Sequence, residues 1–269
     1  MKQDSDRDFD ELLSYIEREL DFESGFYNDA YLDRRINARM RRTDTDDYAA
    51  YQRLLETDDD EHAELLDSLS INVTGFFRNP AAWESLRGVL RDLTAEKRSV
   101  SIWSAPCADG REPYSLAMLA IDDDEIDERR IEILGTDINR DILRVARKGA
   151  YETSQTTDIE EELEPLSSID PYVERQGDVF TVTDRVSDLV TFERHDLIRG
   201  REKSGYDLVC CRNLLIYIDA DYKVPIFETI TGSLDEDGYL MIGMTETLPS
   251  EFRDRYDSVE KKHRIYRRA

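Results

Sequence analysis

The first residue of this sequence that is placed to do chemistry is Glu112, in the segment WSAPCADGREPYS at 103–115. The apolar run before this segment is typical of a buried strand. The apolar run 116–121 after it is typical of a helix with Pro113 in its first turn. Small residues fill the loop between them, so a ligand can approach the backbone closely. The Glu112 carboxylate would then either interact with the positive end of the helix or bind a cationic or amine group of a ligand.

Two later apolar runs also end in polar residues. The run 131–137 ends at Asp137, and the run 206–211 is followed by Arg212 and Asn213. Ligands of parallel α/β sheets bind beyond the carboxyl ends of the strands, where an acidic residue after the second strand suits two ribose hydroxyls. The structural alternatives are that Asp137 is the N-cap of the next helix and that Asn213 caps a turn. The first loop lacks the GxGxxG pattern, so a nicotinamide dinucleotide is the weakest candidate for the ligand.

The composition is strongly acidic, with 61 Asp and Glu against 36 Lys and Arg, a net charge of -25 and a pI near 4.5. Seven of the basic residues are lysines. This balance is typical of a protein from a high-salt cytoplasm, such as that of a halophilic archaeon. At molar salt the Debye length falls to about 3 Å, which screens the repulsion between like charges. We therefore expect loss of structure in dilute buffer. An acidic surface also disfavours nucleic acid as a partner.

Cysteine and histidine are sparse. Cys107, Cys210 and Cys211 have neither metal-binding nor disulfide spacing, which predicts buried free thiols in a reducing compartment. The histidines are isolated in the sequence, so we expect no metal site. The sequence has no signal-peptide pattern, and no apolar run approaches the roughly 20 residues that span a bilayer. These features predict a cytoplasmic protein that is not inserted in a membrane, and we expect a monomer.

Residues 1–70 carry no convincing strand pattern and predict a helical bundle. A helix over about 28–42 has an apolar row and, beside it, a basic row at spacings of four and three, formed by Arg35, Arg39 and Arg42. One interpretation is a solvated helix face paired with neighbouring acidic residues. The other is a docking surface for an acidic partner.

Four segments together resemble the CheR family, the S-adenosylmethionine-dependent methyltransferases that esterify glutamates of chemotaxis receptors. The segment at 103–115 is similar to the first family motif. The other three segments are NVTGFFR at 72–78, TDINRDILRVARKGAY at 136–151 and CRNLLIYID at 211–219. The resemblance covers nearly the whole chain, and the motifs occur in the family's order.

The resemblance implies an α/β fold. Its main part would be a Rossmann-like class I S-adenosylmethionine methyltransferase sheet, with an N-terminal all-α bundle and a small inserted antiparallel β subdomain. The implied domains are a helical domain at 1–70, a linker and first helix over the cofactor at 71–98, and a methyltransferase domain at 99–269. A hairpin pattern marks the inserted β subdomain at about 170–187. Whether this subdomain binds a receptor tail is left open.

The resemblance also implies S-adenosylmethionine as the cofactor, with S-adenosylhomocysteine as the product. Arg78 would bind the methionine carboxylate, Asp196 would accept a hydrogen bond from the adenine amino group, and Leu197 would pack on the ring. The implied cofactor-binding residues are Asn72, Thr74, Arg78, Glu112, Asp137, Asp196, Leu197, Arg212, Asn213 and Leu214.

The substrates implied are the acidic methylation helices of chemoreceptors, which would face Arg35, Arg39 and Arg42. A glutamate acceptor is ionised at neutral pH, so the reaction needs no strong general base, and no catalytic base is assigned. We interpret His195 as a structural histidine rather than a base. Two alternatives are a methyltransferase for a small acceptor and an inactive adaptor that binds the cofactor product and a receptor.

Overall fold

A computed structural model describes residues 2–20, 22–69 and 74–269. The chain forms two compact units. The first, here called the helical unit, comprises the chain before residue 73 together with Tyr217–Lys223. The second, here called the sheet unit, comprises Val73–Ile216 and Val224–Ala269.

After the first four helices, helices and strands are interspersed along the chain. The α-helices are α1 (Lys2–Leu20), α2 (Asp29–Arg42), α3 (Tyr48–Leu55), α4 (Asp59–Leu69), α5 (Pro80–Glu96), α6 (Arg111–Asp122), α7 (Arg140–Lys148), α8 (Ile159–Glu162), α9 (Asp184–Ser187) and α10 (Ala220–Gly232). The strands are β1 (Val100–Ser104), β2 (Ile131–Asp137), β3 (Ala150–Glu152), β4 (Val173–Gln176), β5 (Val179–Val182), β6 (Val190–Arg194), β7 (Tyr206–Cys211), β8 (Leu234–Ile242), β9 (Tyr256–Glu260) and β10 (Ile265–Arg268). Short 3-10 helices cover Ser24–Phe26, Glu128–Arg130 and Ser250–Arg255.

The helical unit is a bundle in which α2 and α3 begin at side-chain caps. Asn28 Oδ1 accepts a hydrogen bond from Tyr31 N at 2.8 Å at the start of α2, and Asp47 Oδ1 accepts one from Ala50 N at 2.7 Å at the start of α3. The apolar faces of the helices meet in one core, formed by Leu12, Ile16, Leu20, Leu32, Ile36, Met40, Tyr51, Leu55, Leu65 and Leu69. The bundle predicted for this part of the chain is therefore confirmed.

The sheet unit is built on a seven-stranded sheet in the order β6-β2-β1-β7-β8-β10-β9. The first five strands in that order pair in parallel, and β10 pairs antiparallel with both β8 and β9. Strand order reverses at β1, because the chain goes from β1 to β2 on one side and later returns to β7 on the other. This topological switch point is where open α/β sheets bind their ligands.

A three-stranded antiparallel sheet in the order β3-β5-β4 lies between β2 and β6 in the sequence. Its hairpin, β4 and β5, confirms the predicted insertion. The sequence pattern did not predict β3, which has only three residues and so shows no alternation.

Strand β6 ends at Arg194. Beyond it, Asp196 Oδ1 accepts hydrogen bonds from the backbone of Ile198 and Arg199 at 2.8 and 3.1 Å, which turns the chain. Among the described residues, no helix combines the length and the apolar character that crossing a membrane requires.

Candidate functional site

Glu112 lies in the first turn of α6, directly after the loop that follows β1. Its Oε1 accepts a hydrogen bond from Ser104 Oγ at 2.8 Å, and its Oε2 accepts one from Arg212 Nη1 at 3.2 Å. The residue is 8% exposed. Burial raises the pKa of the Glu112 carboxyl, although Arg212, Ser104 and Arg78 act in the opposite direction. The protein alone therefore stabilises the ionised carboxylate only in part. A cationic group of a ligand would stabilise it further.

The guanidinium of Arg212, after β7, bonds to several protein groups, and its predicted contact to the cofactor stays a prediction. The side chain is 2% exposed. Besides Glu112, it donates to Arg78 O at 2.7 Å and to Asn79 Oδ1 at 3.2 Å, and it lies over the Trp83 ring at 5.5 Å. Its Nε has no hydrogen-bond partner among the described residues. The Arg212 guanidinium thus connects Glu112 to the segment that contains Arg78.

Residues 74–79, here called the strap, lead into the start of α5. Phe77 N donates to Ser115 Oγ of α6 at 3.0 Å, and Arg78 O accepts from Trp83 Nε1 at 2.9 Å. Phe77 and Asn79 have left-handed backbone conformations, with φ of 45° and 62°. The tight path leaves Thr74 and Arg78 half-buried. The predicted contact residue Asn72 lies outside the described residues.

Asp137 ends β2, as predicted, and its carboxylate faces the loop after β1. Its Oδ2 accepts a hydrogen bond from Ala108 N at 3.0 Å, and its Oδ1 accepts one from Asn139 N at 2.9 Å. The N-cap of α7 is Asn139, whose Oδ1 accepts from Asp141 N at 2.8 Å, so the capping alternative for Asp137 is wrong. Burial raises the pKa of the Asp137 carboxyl. Ile138, which the sequence reasoning missed, is 40% exposed beside it.

The loop after β7 is fixed by a buried carboxylate for which the sequence predicted no role. Glu246 is 4% exposed, and its oxygens accept from Asn213 N at 3.0 Å, Leu215 N at 2.7 Å and Gly243 N at 2.6 Å. Asn213 has a left-handed φ of 60°, and Leu214 is buried. A Cβ at Gly243 would lie 2.8 Å from Asn213 N, so this position requires glycine. Glu246 therefore sets the path of the loop that carries Asn213 and Leu214.

Residues 195–197 follow β6 at the same edge of the sheet. Asp196 uses Oδ1 to cap the turn described above, and Leu197 is half-buried. His195 is 8% exposed and packs edge-on against Trp103 at a centroid distance of 5.5 Å. Burial, followed by the nearby Lys203, lowers the pKa of His195, so the imidazole is neutral at pH 7. Its Nε2 is buried without a hydrogen-bond partner among the described residues, so the structural interpretation of His195 stays a prediction.

In the helical unit, the prediction that Arg39 forms part of an exposed docking row is wrong. Arg39 is 7% exposed, and its guanidinium donates to Glu61 through Nε at 3.0 Å and Nη2 at 2.6 Å. Nη1 donates to Glu64 at 2.9 Å. The reason is that α4 presents two carboxylates to this side of α2. Arg42 is exposed, and Arg35 is half-buried with its guanidinium 5.3 Å from the Tyr31 ring centre.

The remaining arginines of α2 form a different surface from the one predicted. Arg34 and Arg41 are exposed, and they follow the same seven-residue spacing as Arg35 and Arg42. Positions seven apart lie on the same side of a helix. We call these four residues the basic face: Arg34, Arg35, Arg41 and Arg42. In the described part of the chain, no group of three or more His, Cys, Asp or Glu side chains is placed to hold a metal ion.

Two family models match the chain. The model described as the SAM-binding domain of CheR methyltransferases matches residues 72–265, and the model of their all-alpha domain matches residues 7–70. Together with the fold, these matches define an S-adenosylmethionine-dependent methyltransferase. The chain belongs to the CheR methyltransferase family.

Curated relatives are similar to this chain over most of their length. A chemotaxis protein methyltransferase of Listeria monocytogenes is 31% identical, covering 91% of this chain and 92% of the relative. Chemotaxis protein methyltransferase 1 of Vibrio cholerae is 30% identical, over 72% of this chain and 71% of the relative. A chemotaxis protein methyltransferase of Borreliella burgdorferi is 28% identical, over 81% of this chain and 80% of the relative.

Proposed function

We propose that this protein transfers the methyl group of S-adenosylmethionine to glutamate side-chain carboxylates of chemoreceptors, forming γ-methyl esters for chemotactic adaptation. The observation that carries the proposal is the buried, incompletely stabilised Glu112 carboxylate at the switch point of the sheet, next to the loop that contacts Asp137. The family membership and the names of the relatives support the same activity.

The hydrogen-bonding groups at this site fit S-adenosylmethionine. Glu112 would accept hydrogen bonds from the ammonium group of the methionine part, and Arg78, close enough to Glu112 to lower its pKa, would bind the adjacent carboxylate. Asp137 would accept from the ribose hydroxyls with the lone pairs that Ala108 and Asn139 leave available. Ile138 offers an apolar surface for the adenine ring.

The other cofactor assignments remain part of the proposal. Arg212 is one of them, and its bonds to Glu112 and to Arg78 O of the strap support an effect on cofactor binding through those two groups. The remaining contact residues, from the strap and from the loops after β6 and β7, are Asn72, Thr74, Asp196, Leu197, Asn213 and Leu214. Asp196 has its Oδ1 engaged in the turn, so the contact to adenine would use Oδ2.

When bound, S-adenosylmethionine supplies a methyl group that its positively charged sulfur has already activated for transfer to an oxygen nucleophile. The protein's task is therefore alignment and exclusion of water rather than proton transfer. The strap and Glu112 hold one end of the cofactor, and Asp137 holds the other. The glutamate acceptor is ionised at neutral pH, so the neutral His195 is not required as a base.

The basic face of α2 would bind the acidic methylation helices of the receptor. We expect Arg42→Glu to lower kcat/KM for receptor about fivefold and to leave the Kd for S-adenosylhomocysteine unchanged. The defect should grow as KCl is lowered, because salt screens exposed charges. Arg53→Glu, an exposed arginine of α3, is the matched control. Equal effects of the two substitutions would contradict docking through the basic face.

The activity test uses tritium-labelled S-adenosylmethionine and membranes that contain the organism's own chemoreceptors, in molar KCl. Base-labile label on the receptor, released as volatile methanol, is the result expected for glutamyl esters. Asp137→Ala should abolish the label by weakening cofactor binding. If the protein binds cofactor but labels no receptor, the receptor assignment fails and an adaptor or a small acceptor becomes the working hypothesis.

The net charge of -25 and the low lysine content support adaptation to a high-salt cytoplasm, with halophilic archaea as the proposed source. Unfolding measured against KCl concentration tests this, with loss of structure expected in dilute buffer. We also propose the domain division 1–70, 71–98 and 99–269, which the limits of the two family models support at the first boundary. The proposed acting form is a monomer.

A further inference from the structure

We infer that Glu162, in α8 of the segment between β3 and β4, is a positioning residue for cofactor binding. Its carboxylate fastens the strap to the first turn of α6, and so holds two walls of the cofactor site together. The inference rests on the proposed cofactor site but not on the identity of the methyl acceptor.

The Glu162 carboxylate bonds to both segments. Its Oε2 accepts a hydrogen bond from Phe76 N of the strap at 2.8 Å. Arg111 Nη1, at the start of α6, donates to Oε2 at 3.1 Å and to Oε1 at 3.2 Å. The strap carries Thr74 and Arg78, and Arg111 directly precedes Glu112.

Arg111 is itself fixed on the side of the β1–α6 loop. Its Nη2 lies 2.9 Å from Asp109 Oδ2, and its Nε donates to the same oxygen at 3.0 Å. Asp109 O in turn accepts a hydrogen bond from Tyr151 OH at 2.7 Å. A displacement of Glu162 would therefore release the strap from a rigid part of the site.

The glycine at position 75 also depends on this contact. A Cβ at Gly75 would lie 2.9 Å from Glu162 Oε1 and 3.1 Å from its Cδ. A Cβ at position 75 would therefore require the strap or the Glu162 carboxylate to move. Either shift disturbs the hydrogen bond between Phe76 N and Glu162.

The short helix α8, which carries Glu162, is anchored in the core of the sheet unit. Ile159 and Leu163, on either side of it, are 1% and 0% exposed. The Asp158 side chain caps α8 by accepting from Glu160 N at 3.0 Å. The Glu162 side chain itself is 23% exposed, and ion pairs with this access to water add little to global stability. Its main effect should therefore be on the position of the strap.

The experiment measures the Kd for S-adenosylhomocysteine by calorimetry on the full-length protein in molar KCl. Glu162→Ala should raise this Kd about 10-fold, because it removes charge-assisted hydrogen bonds to the strap and to Arg111. Glu162→Gln keeps an acceptor for Phe76 N and should give a smaller rise. Glu161→Ala, an exposed neighbour on α8, is the matched control and should leave the Kd unchanged.

A double-mutant cycle adds a readout that a purely structural role would not move. Gly75→Ala alone should raise the Kd, because its methyl group displaces the strap from Glu162. In the Glu162→Ala background the same substitution should cost almost nothing, since the obstructing carboxylate is gone. Additive effects, or a Kd that is unchanged in either single variant, would overturn the inference. If Glu162→Ala does not fold, the Kd values of Gly75→Ala and Glu162→Gln test the inference instead.

Direct binding separates this inference from the proposed function. If the wild-type chain binds S-adenosylhomocysteine but labels no receptor, the acceptor assignment fails while the Glu162 variants still test the strap. If receptor labelling succeeds and the Glu162 variants bind normally, the positioning role alone is overturned.

Discussion

Each unit of the molecule contains a buried Arg–Glu pair, and the two pairs differ in how completely they are satisfied. In the helical unit, Arg39 donates to both oxygens of Glu61 at 3.0 and 2.6 Å, and Tyr51 OH donates a third hydrogen bond at 2.5 Å. In the sheet unit, Arg212 makes one 3.2 Å bond to Glu112 and leaves its Nε without a partner among the described residues. Both carboxylates are nearly buried, with 5% and 11% of the side chain exposed.

The carboxyl pKa values record this difference with opposite signs. Burial would raise the pKa of Glu61, but hydrogen bonds from Arg39 and Tyr51 outweigh it and lower the pKa. At Glu112 burial wins over Arg212, and the pKa is raised. A buried charge that the protein satisfies serves the fold, whereas one left partly unsatisfied is available to a ligand. Burial alone does not distinguish the two cases.

The largest effect expected from this comparison is on stability. Glu61→Gln should lower the free energy of unfolding of the helical unit by about 3 kcal/mol, because it leaves the Arg39 charge buried with a weakened partner. Urea unfolding followed by circular dichroism measures the loss. The Kd for S-adenosylhomocysteine should stay unchanged.

Glu64→Gln is the matched control for this prediction. Glu64 also bonds to Arg39, but its side chain is 62% exposed, so the loss should stay below about 0.5 kcal/mol. Equal losses of unfolding free energy from the two substitutions would show that the bidentate pair of Arg39 with Glu61 is not what stabilises α2 against α4.

Glu112→Gln should have the reverse profile. We expect the Kd for S-adenosylhomocysteine to rise about 30-fold, which corresponds to roughly 2 kcal/mol for a buried charge-assisted hydrogen bond. The loss of stability should be smaller than for Glu61→Gln, since Glu112 accepts two hydrogen bonds, one of them 3.2 Å long, whereas Glu61 accepts three from Arg39 and Tyr51. Calorimetry and urea unfolding of the same preparation measure both quantities. A variant that unfolds as easily as Glu61→Gln but binds normally would reverse our assignment of the two pairs.

The sequence predicts much of this site but not the distinction between the pairs. Buried apolar runs identify β1, β2 and β7, and the parallel arrangement then brings Glu112 and Asp137 to one edge of the sheet. The partners of Arg39 and Arg212 lie 22 and 100 residues away along the chain. Helical spacing places Arg39 in a row with Arg35 and Arg42, but only the packing of α4 against α2 decides that it is buried.

Glu162 and Glu246 escaped prediction for a related reason. Each carboxylate accepts hydrogen bonds from backbone N–H groups of a distant segment, Phe76 in one case and Asn213 and Leu215 in the other. Backbone groups have no sequence signature, so an acidic residue that binds them resembles any other acid in a chain with 61 of them. Their roles appear only when the loops are seen in place.

The smallest effect expected is in the pH dependence, where Glu112 should titrate at a higher pH than Glu61, because the pKa of its carboxyl is raised and that of Glu61 is lowered. Glu112 must be ionised to accept a hydrogen bond from the ligand's ammonium group, and its raised pKa brings protonation above the ordinary glutamate value of about 4.3. Affinity for S-adenosylhomocysteine should therefore fall as the pH is lowered through this raised carboxyl pKa, above the range in which an ordinary glutamate titrates. The same protonation relieves a cost in the ligand-free protein and adds to its stability. The stabilisation from Glu61 should persist through this range, because a lowered carboxyl pKa preserves it until the pH falls through that folded value.

Calorimetry at pH 7, 6 and 5 in constant molar KCl tests the difference. The slope of log Kd against pH can reach about one tenfold change per pH unit, and Glu112→Gln should flatten it. Asp137 also has a raised pKa, so its contribution to the slope should remain in that variant. Identical slopes for the wild-type chain and Glu112→Gln would mean that Glu112 does not titrate with the ligand. The pair with Arg212 would then be a structural one, like that of Arg39 and Glu61.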